Sequence, residues 1–224
     1  MNEKKAVGEK AVEFVKEDMV VGLGTGSTVF YTVSLLGKLV QQGFSIIGIP
    51  TSSQTAKLAT ELNIPLTSFD EIDEIDIAID GADEVSRSFD LIKGGGGALL
   101  REKIVAKSAK KLIIVADSSK LVDQLGSAAL PVEIVPFGVE ATKRHIQKIG
   151  IHPELRLNNG APFVTDNGNY ILDCICPKII VPSELESNLN MIPGVVDNGL
   201  FIGMADMVIT VDENKEVIIK KREQ

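Results

Sequence analysis

Met19-Val20-Val21-Gly22-Leu23-Gly24-Thr25-Gly26-Ser27-Thr28 passes from an apolar strand pattern through a glycine-rich turn into the start of a helix, and that succession decides the fold. Before it, Ala6, Val7, Ala11, Phe14 and Val15 recur at helical spacing between Glu3 and Lys16. After it come an apolar helical pattern from Thr28 to Val40, a strand at Ser45–Ile49 and a helix over Ser52–Leu62. Strands at Ile75–Ile79 and Leu112–Ala116, with a helix over Gly97–Ala109 between them, continue the alternation. Strands alternating with helices predict an α/β fold built on a doubly wound, mostly parallel, Rossmann-like sheet.

The rhythm changes after Lys120. Val132–Val135 reads as a strand and Gly138–Ile149 as a helix, while Pro162–Thr165 and Tyr170–Asp173 flank Asp166-Asn167-Gly168-Asn169 as a β-hairpin. A helix at Ser183–Asn190 and a strand at Val195–Leu200 complete a strand-helix-strand-strand-helix-strand set, the split βαβ layout of a ferredoxin-like α+β domain. The expected division is therefore a catalytic α/β domain over 1–127 and a small lid or oligomerisation domain over 128–202. The strand-like ending, 203–224, is expected to return to the first domain.

The 224 residues are 44% hydrophobic and carry a formal net charge of -8, so an acidic globular protein is expected, with no nucleic-acid partner and no affinity for anionic membrane. An anionic substrate must then be held by local donors. The two cysteines, Cys174 and Cys176, fall on one face of a strand, and His145 and His152 are the only histidines, a poor supply for a metal site. The expectation is no metal, no cofactor and a reducing compartment. Met1–Val7 opens directly into a charged helical pattern, and no stretch approaches the roughly 20 apolar residues of a membrane span, which points to a cytoplasmic protein.

Four polar segments follow predicted strands. Thr25, Gly26, Ser27 and Thr28 open a helix, where free N–H groups suit a phosphate; a tight turn using glycine for its backbone freedom reads equally well. A dinucleotide fingerprint is excluded, because Ser27 stands where a third glycine is needed and Pro50-Thr51-Ser52 stands where the acid should be. Thr51-Ser52-Ser53-Gln54 could add hydroxyls to that edge or cap a helix. Asp80-Gly81-Ala82-Asp83-Glu84 offers carboxylates for sugar hydroxyls, proton transfer or a divalent metal, or simply turn chemistry. Lys93-Gly94-Gly95-Gly96-Gly97 is the most specific segment, since four glycines in ordered backbone imply a close approach or uncovered donors for an oxyanion. Glu102 lies about 7 Å further along the following helix at ~1.5 Å per residue, either sharing that pocket or lying on a solvated face with Arg101 and Lys103. Ala116-Asp117-Ser118-Ser119-Lys120 ends the next strand.

These segments, with Val164-Thr165-Asp166-Asn167-Gly168-Asn169, resemble type A ribose-5-phosphate isomerase in order and along nearly the whole chain. The resemblance implies ribose 5-phosphate to ribulose 5-phosphate isomerisation in the non-oxidative pentose phosphate pathway, without metal or cofactor, by a homodimer or homotetramer. It implies Glu102 as the general base, Asp80 assisting ring opening, and substrate binding by Thr25 to Thr28, Asp80 to Asp83, Lys93 to Gly96 and Lys120. One departure is Leu200–Asp206, where many bacterial members carry Arg before Gly-Ala-Asp. The residue types suit the reaction: a base carries a proton between neighbouring carbons, and Lys93 with the glycine amides stabilises the enediolate while Asp80 and Asp83 orient hydroxyls. The competing readings are an amino-sugar-phosphate deaminase, a phosphogluconolactonase, or a sugar-phosphate sensor of a transcription regulator. The last needs a DNA-binding module that the short stretch before Met19 cannot supply.

Overall fold

The computed structural model describes residues 2–176 and 178–222. The chain groups into two units: Met1–Ala82 with Arg101–Leu121 and Gly203–Gln224, and Asp83–Leu100 with Val122–Ile202. Residues 83–100 and 122–127, which the sequence division gave to the α/β domain, group with the second unit, and 203–224 joins the first.

The first unit is organised by a six-stranded sheet with the order Val217–Lys221, Met207–Val211, Leu112–Val115, Ile77–Gly81, Met19–Leu23, Ile46–Pro50. All neighbours are parallel except the edge strand Val217–Lys221. Parallel strands are covered on both faces, which is why Leu112–Val115 and Met207–Val211 are buried throughout and apolar at every position but Thr210. Helix Glu3–Val12, capped by Asn2 Oδ1 accepting from the Lys5 N–H at 3.2 Å, buries Val7 and Ala11 in the same core as Val21, Ile79 and Ile209. Numbered along the chain, the five parallel strands lie in the order 2-1-3-4-5. The order reverses between Met19–Leu23 and Ile77–Gly81, and ligands of such sheets bind beyond the carboxyl ends of the strands at that switch point.

In the second unit a four-stranded sheet has the order Val195–Asn198, Leu130–Ile134, Tyr170–Ile175, His152–Leu155, all antiparallel. With helices Val139–Lys148 and Pro182–Asn190 this is a split βαβ arrangement as expected, but its second strand is His152–Leu155, not the expected Pro162–Thr165, whose start instead pairs with Leu157–Asn158 in a separate ribbon. Val132, Ile134, Leu172, Cys174, Ile146 and Leu189 form its core.

Two further expected elements differ. The hairpin across 166–169 is reduced to a bridge between Val164 and Tyr170, because both edges of Tyr170–Ile175 are already taken by ladders to Leu130–Ile134 and His152–Leu155. The Val195–Leu200 strand breaks at Gly199, whose N–H donates to the Pro131 carbonyl at 2.7 Å. Beyond it, Leu200–Phe201 joins Leu91–Ile92 and Glu84–Val85 in a separate three-stranded sheet. Among the described residues no helix is long and apolar enough to cross a membrane.

Candidate active site

At the switch point the absence of a side chain on Gly24 is required. A Cβ there would stand 2.2 Å from Asp80 Oδ1 and 2.6 Å from its Cα. The space lets the buried Asp80 carboxylate accept from the N–H groups of Thr25 at 3.1 Å and Gly81 at 2.8 Å. One carboxylate oxygen thus ties together the turns after the first and third parallel strands. The Thr25 hydroxyl lies 2.7 Å from Thr51 Oγ1, 2.8 Å from Ser52 Oγ and 3.2 Å from Thr55 Oγ1. Ser52 also accepts from the Thr55 N–H as helix cap. The two readings of Thr51–Gln54, cap and added hydroxyls, therefore both hold, and Thr25 is the post on which the turns are fixed.

Gly26, Ser27 and Thr28 complete the opening. Ser27 and Gly26 line a cleft of about 470 Å³ with Gly24, Tyr31, Gln54 and Thr55. Thr28 takes the N-cap position of helix Val29–Gln41 without using its side chain as a cap. Lys4 Nζ donates to Ser27 Oγ at 3.0 Å, which brings a cation to this turn. Sequence reading missed Lys4, and the only signal available was its place on the helix preceding the first strand.

Glu102 sits in the first turn of helix Leu99–Ser108 and is 4% exposed, and the neighbouring Lys103 is 8% exposed. The solvated-face reading of this triplet is thereby excluded. A buried carboxylate is retained at a cost, because charge loses its hydration on burial. Lys120 ends the short 3-10 turn Ser118–Lys120, capped by Asp117, which accepts from the Ser119 N–H at 3.1 Å. From 115 residues away Glu3 Oε2 accepts from the Ser118 hydroxyl at 2.8 Å and its N–H at 3.2 Å, and these bonds hold the Glu3 carboxyl below its ordinary range.

In the second unit the three short strands hold Asp83 and Lys93 at the end of one hairpin. The Asp83 N–H donates to Ile92 and the Lys93 N–H to Gly199. Lys93 is only 2% exposed, with its ammonium 5.4 Å from the centre of the Phe201 ring. Asp83 Oδ2 accepts from the Gly95 N–H at 2.8 Å, and a Cβ on Gly95 would stand 2.7 Å from Asp83 Oδ1. The Gly97 N–H closes a turn on the Gly94 carbonyl at 2.9 Å. Glu84, which carried no assigned role, is buried and accepts from the N–H groups of Gly126 at 2.7 Å and Ala128. Burial raises both thiols, Cys176 to about 11, so neither is a thiolate nucleophile at neutral pH. Among the described residues no group of three His, Cys, Asp or Glu side chains could hold a metal ion.

The family model described as ribose 5-phosphate isomerase A (phosphoriboisomerase A) matches residues 47–215. Ribose-5-phosphate isomerase A of Bacillus mycoides (strain KBAB4) is 53% identical over 96% of this chain and 97% of its own length. That of Listeria monocytogenes (strain EGD-e) is 48% identical over 99% of this chain and 100% of its own. A D-ribose-5-phosphate isomerase solved with phospho-erythronic acid superposes with a TM-score of 0.95 at 42% identity, covering 99% of this chain and 100% of that one. The ribose 5-phosphate isomerase from Plasmodium falciparum gives 0.95 at 41%, covering 99% and 98%.

Proposed function

Starting from the fact that the chain belongs to the ribose 5-phosphate isomerase A family and interconverts ribose 5-phosphate and ribulose 5-phosphate, we propose that Glu102 carries the proton between C1 and C2. Asp80 assists opening of the furanose ring. In the open aldehyde, Glu102 takes the C2 proton, the C–H electrons form the C1–C2 double bond, and the carbonyl electrons move onto the oxygen as an enediolate. Return of the proton to C1, with the O2 hydroxyl proton passing to O1 and the O2–H electrons closing the C2 carbonyl, gives the ketose. Lys93 and the Gly94 and Gly96 amides stabilise the oxyanion, since the Gly95 N–H donates to Asp83 and the Gly97 N–H to the Gly94 carbonyl, and Asp83 orients hydroxyls. Ser27, Thr28 and the turn amides hold the phosphate, with Lys4 and Lys120 supplying positive charge. We assign the active form as a homodimer or homotetramer acting in the cytoplasm.

The observation that carries this assignment is the burial of Glu102 to 4% exposure one turn into the helix that follows the glycine run. A coupled assay for ribulose 5-phosphate formation, run with excess chelator, tests it. Full turnover is expected, and a loss restored only by added divalent metal overturns the route through a carboxylate and fixed donors alone.

A further inference from the structure

Arg156 follows strand His152–Leu155 and lies far in sequence from every residue assigned above. Its Nε donates to Asp173 Oδ2 at 2.9 Å and its Nη2 to Asp173 Oδ1 at 2.5 Å, a bidentate pair. Its remaining nitrogen, Nη1, donates to two carbonyls of the glycine run, Gly94 at 3.1 Å and Gly95 at 3.0 Å. The guanidinium lies 5.7 Å from the centre of the Phe163 ring, and a Cβ on Gly97 would stand 2.4 Å from Cζ of that ring. The glycine run therefore rests on a bed made by Arg156, Asp173 and Phe163.

A trans peptide points its C=O and N–H in opposite directions. Fixing the Gly94 carbonyl on Arg156 turns the Gly95 N–H the other way, where it meets Asp83 Oδ2 at 2.8 Å. Fixing the Gly95 carbonyl turns the Gly96 N–H the same way. A cation on a peptide oxygen also withdraws electrons from the amide, so each N–H becomes a stronger donor, as in any chain of polarised hydrogen bonds. The sequence Asp173, Arg156, the Gly94–Gly95 peptide and Asp83 is one such chain.

We propose that Arg156, held by Asp173, is a positioning residue for the isomerisation: it sets the direction and donor strength of the glycine amides and, through the Gly95 N–H, the orientation of Asp83. This rests on the assignment of the glycine amides to the enediolate oxygens. Lysine cannot replace Arg156, because its single ammonium nitrogen cannot hold both Asp173 oxygens as the Nε–Nη2 fork does while a separate nitrogen takes the two carbonyls.

The test measures kcat and KM for ribose 5-phosphate and the inhibition constant of phospho-erythronate, whose carboxylate places negative charge where the enediolate would carry it. The proteins are wild type, Arg156→Lys, Arg156→Ala with and without methylguanidinium, and Asp173→Asn. Arg156→Lys and Arg156→Ala are expected to lower kcat roughly 10- to 100-fold, the cost of a donor held out of line, with KM changed less than about threefold. Phospho-erythronate should weaken by the same factor as kcat/KM, methylguanidinium should restore part of both in Arg156→Ala, and Asp173→Asn should fall between. If Arg156→Lys melts with wild type and keeps kcat and phospho-erythronate affinity within about twofold, the proposal is overturned. It is overturned equally if kcat falls while the inhibitor binds as before. Glu102→Gln separates the two levels: should that variant keep wild-type turnover, the assignment of the base fails, whatever Arg156 does.

Discussion

The turn at Gly24–Thr28 and the run at Lys93–Gly97 are both glycine segments in which an aspartate accepts from a backbone N–H, Asp80 from Thr25 and Asp83 from Gly95, yet they are held in different ways. The first is fixed by its neighbours at the switch point: Asp80, Thr51, Ser52 and Thr55 satisfy its donors and hydroxyls at the ends of adjacent strands. The second is fixed from outside, by an arginine some 61 residues further along the chain that holds its carbonyls and a phenylalanine that fills the space left by Gly97. Under the proposed assignment of the phosphate to the first and the enediolate to the second, the difference follows from what each must do. A phosphate does not change during the reaction and needs a stable seat, whereas an oxyanion forms only in the transition state and needs donors aimed in advance.

The comparison predicts that variants at the reacting end lose kcat and variants at the turn lose KM. The largest effect is expected for Glu102→Gln, which keeps the size of the side chain and removes its basic oxygen. Steady-state kinetics should show kcat lower by about 10² to 10⁴-fold with KM little changed. A variant that keeps more than about a tenth of kcat, worth only ~1.4 kcal/mol, would transfer the base to Asp80 or Asp83.

Next in size is Gly24→Ala. Its Cβ would meet backbone as well as side chain of Asp80, so the turn must shift, at a cost of about 1–3 kcal/mol, with a fall of several degrees in Tm. Gly26→Ala is the internal contrast: its φ is +122° but no atom lies within 4 Å of the added carbon, so only backbone strain is felt. Equal melting of the two variants would show that the Asp80 contact does not govern the turn. Smaller again, Ser27→Ala removes the acceptor of Lys4 and one hydroxyl from the cleft, and should raise KM about tenfold while leaving kcat near wild type. A fall in kcat at constant KM would erase the distinction between seat and chemistry.

The same contrast explains what could be read in advance. The switch-point sheet, the turn after Met19–Leu23 and the carboxylate at Asp80 lie in contiguous segments whose periodicity and glycine placement are local properties. The strand order 2-1-3-4-5 was not legible there, because strand-helix alternation is equally compatible with other doubly wound orders. Arg156, Lys4 and Glu84 were silent because each acts through contacts that no local spacing encodes. Glu84 in particular follows two turn residues and reads as one more surface acid, yet the fold buries it on the amides of Gly126 and Ala128. The failed hairpin has the same origin, since Asp166-Asn167-Gly168-Asn169 is a sound local turn signal overridden by two ladders formed with distant strands.

The smallest expected effect asks whether support from a distance matters where water reaches it. The turn carrying Lys120 is held, like the glycine run, by a remote residue: Glu3 accepts from the hydroxyl and N–H of Ser118. The hydroxyl contributes most and the N–H next to the lowering of the Glu3 carboxyl below 4.5. Because the folded value is the lower one, the stabilisation is fully present above the unfolded value and disappears as pH falls through the folded value. Glu3→Gln should therefore melt slightly below wild type near neutral pH, by about a degree or less since solvent screens the pair, and the gap should close below pH 4.5. A gap that persists or widens in acid would mean that the glutamine disturbs the first turn of its own helix rather than the contact to Ser118. A closing gap together with a small rise in KM above that pH would place Glu3 in the support of Lys120, weaker than Arg156 beneath the glycine run because its charge stays in water.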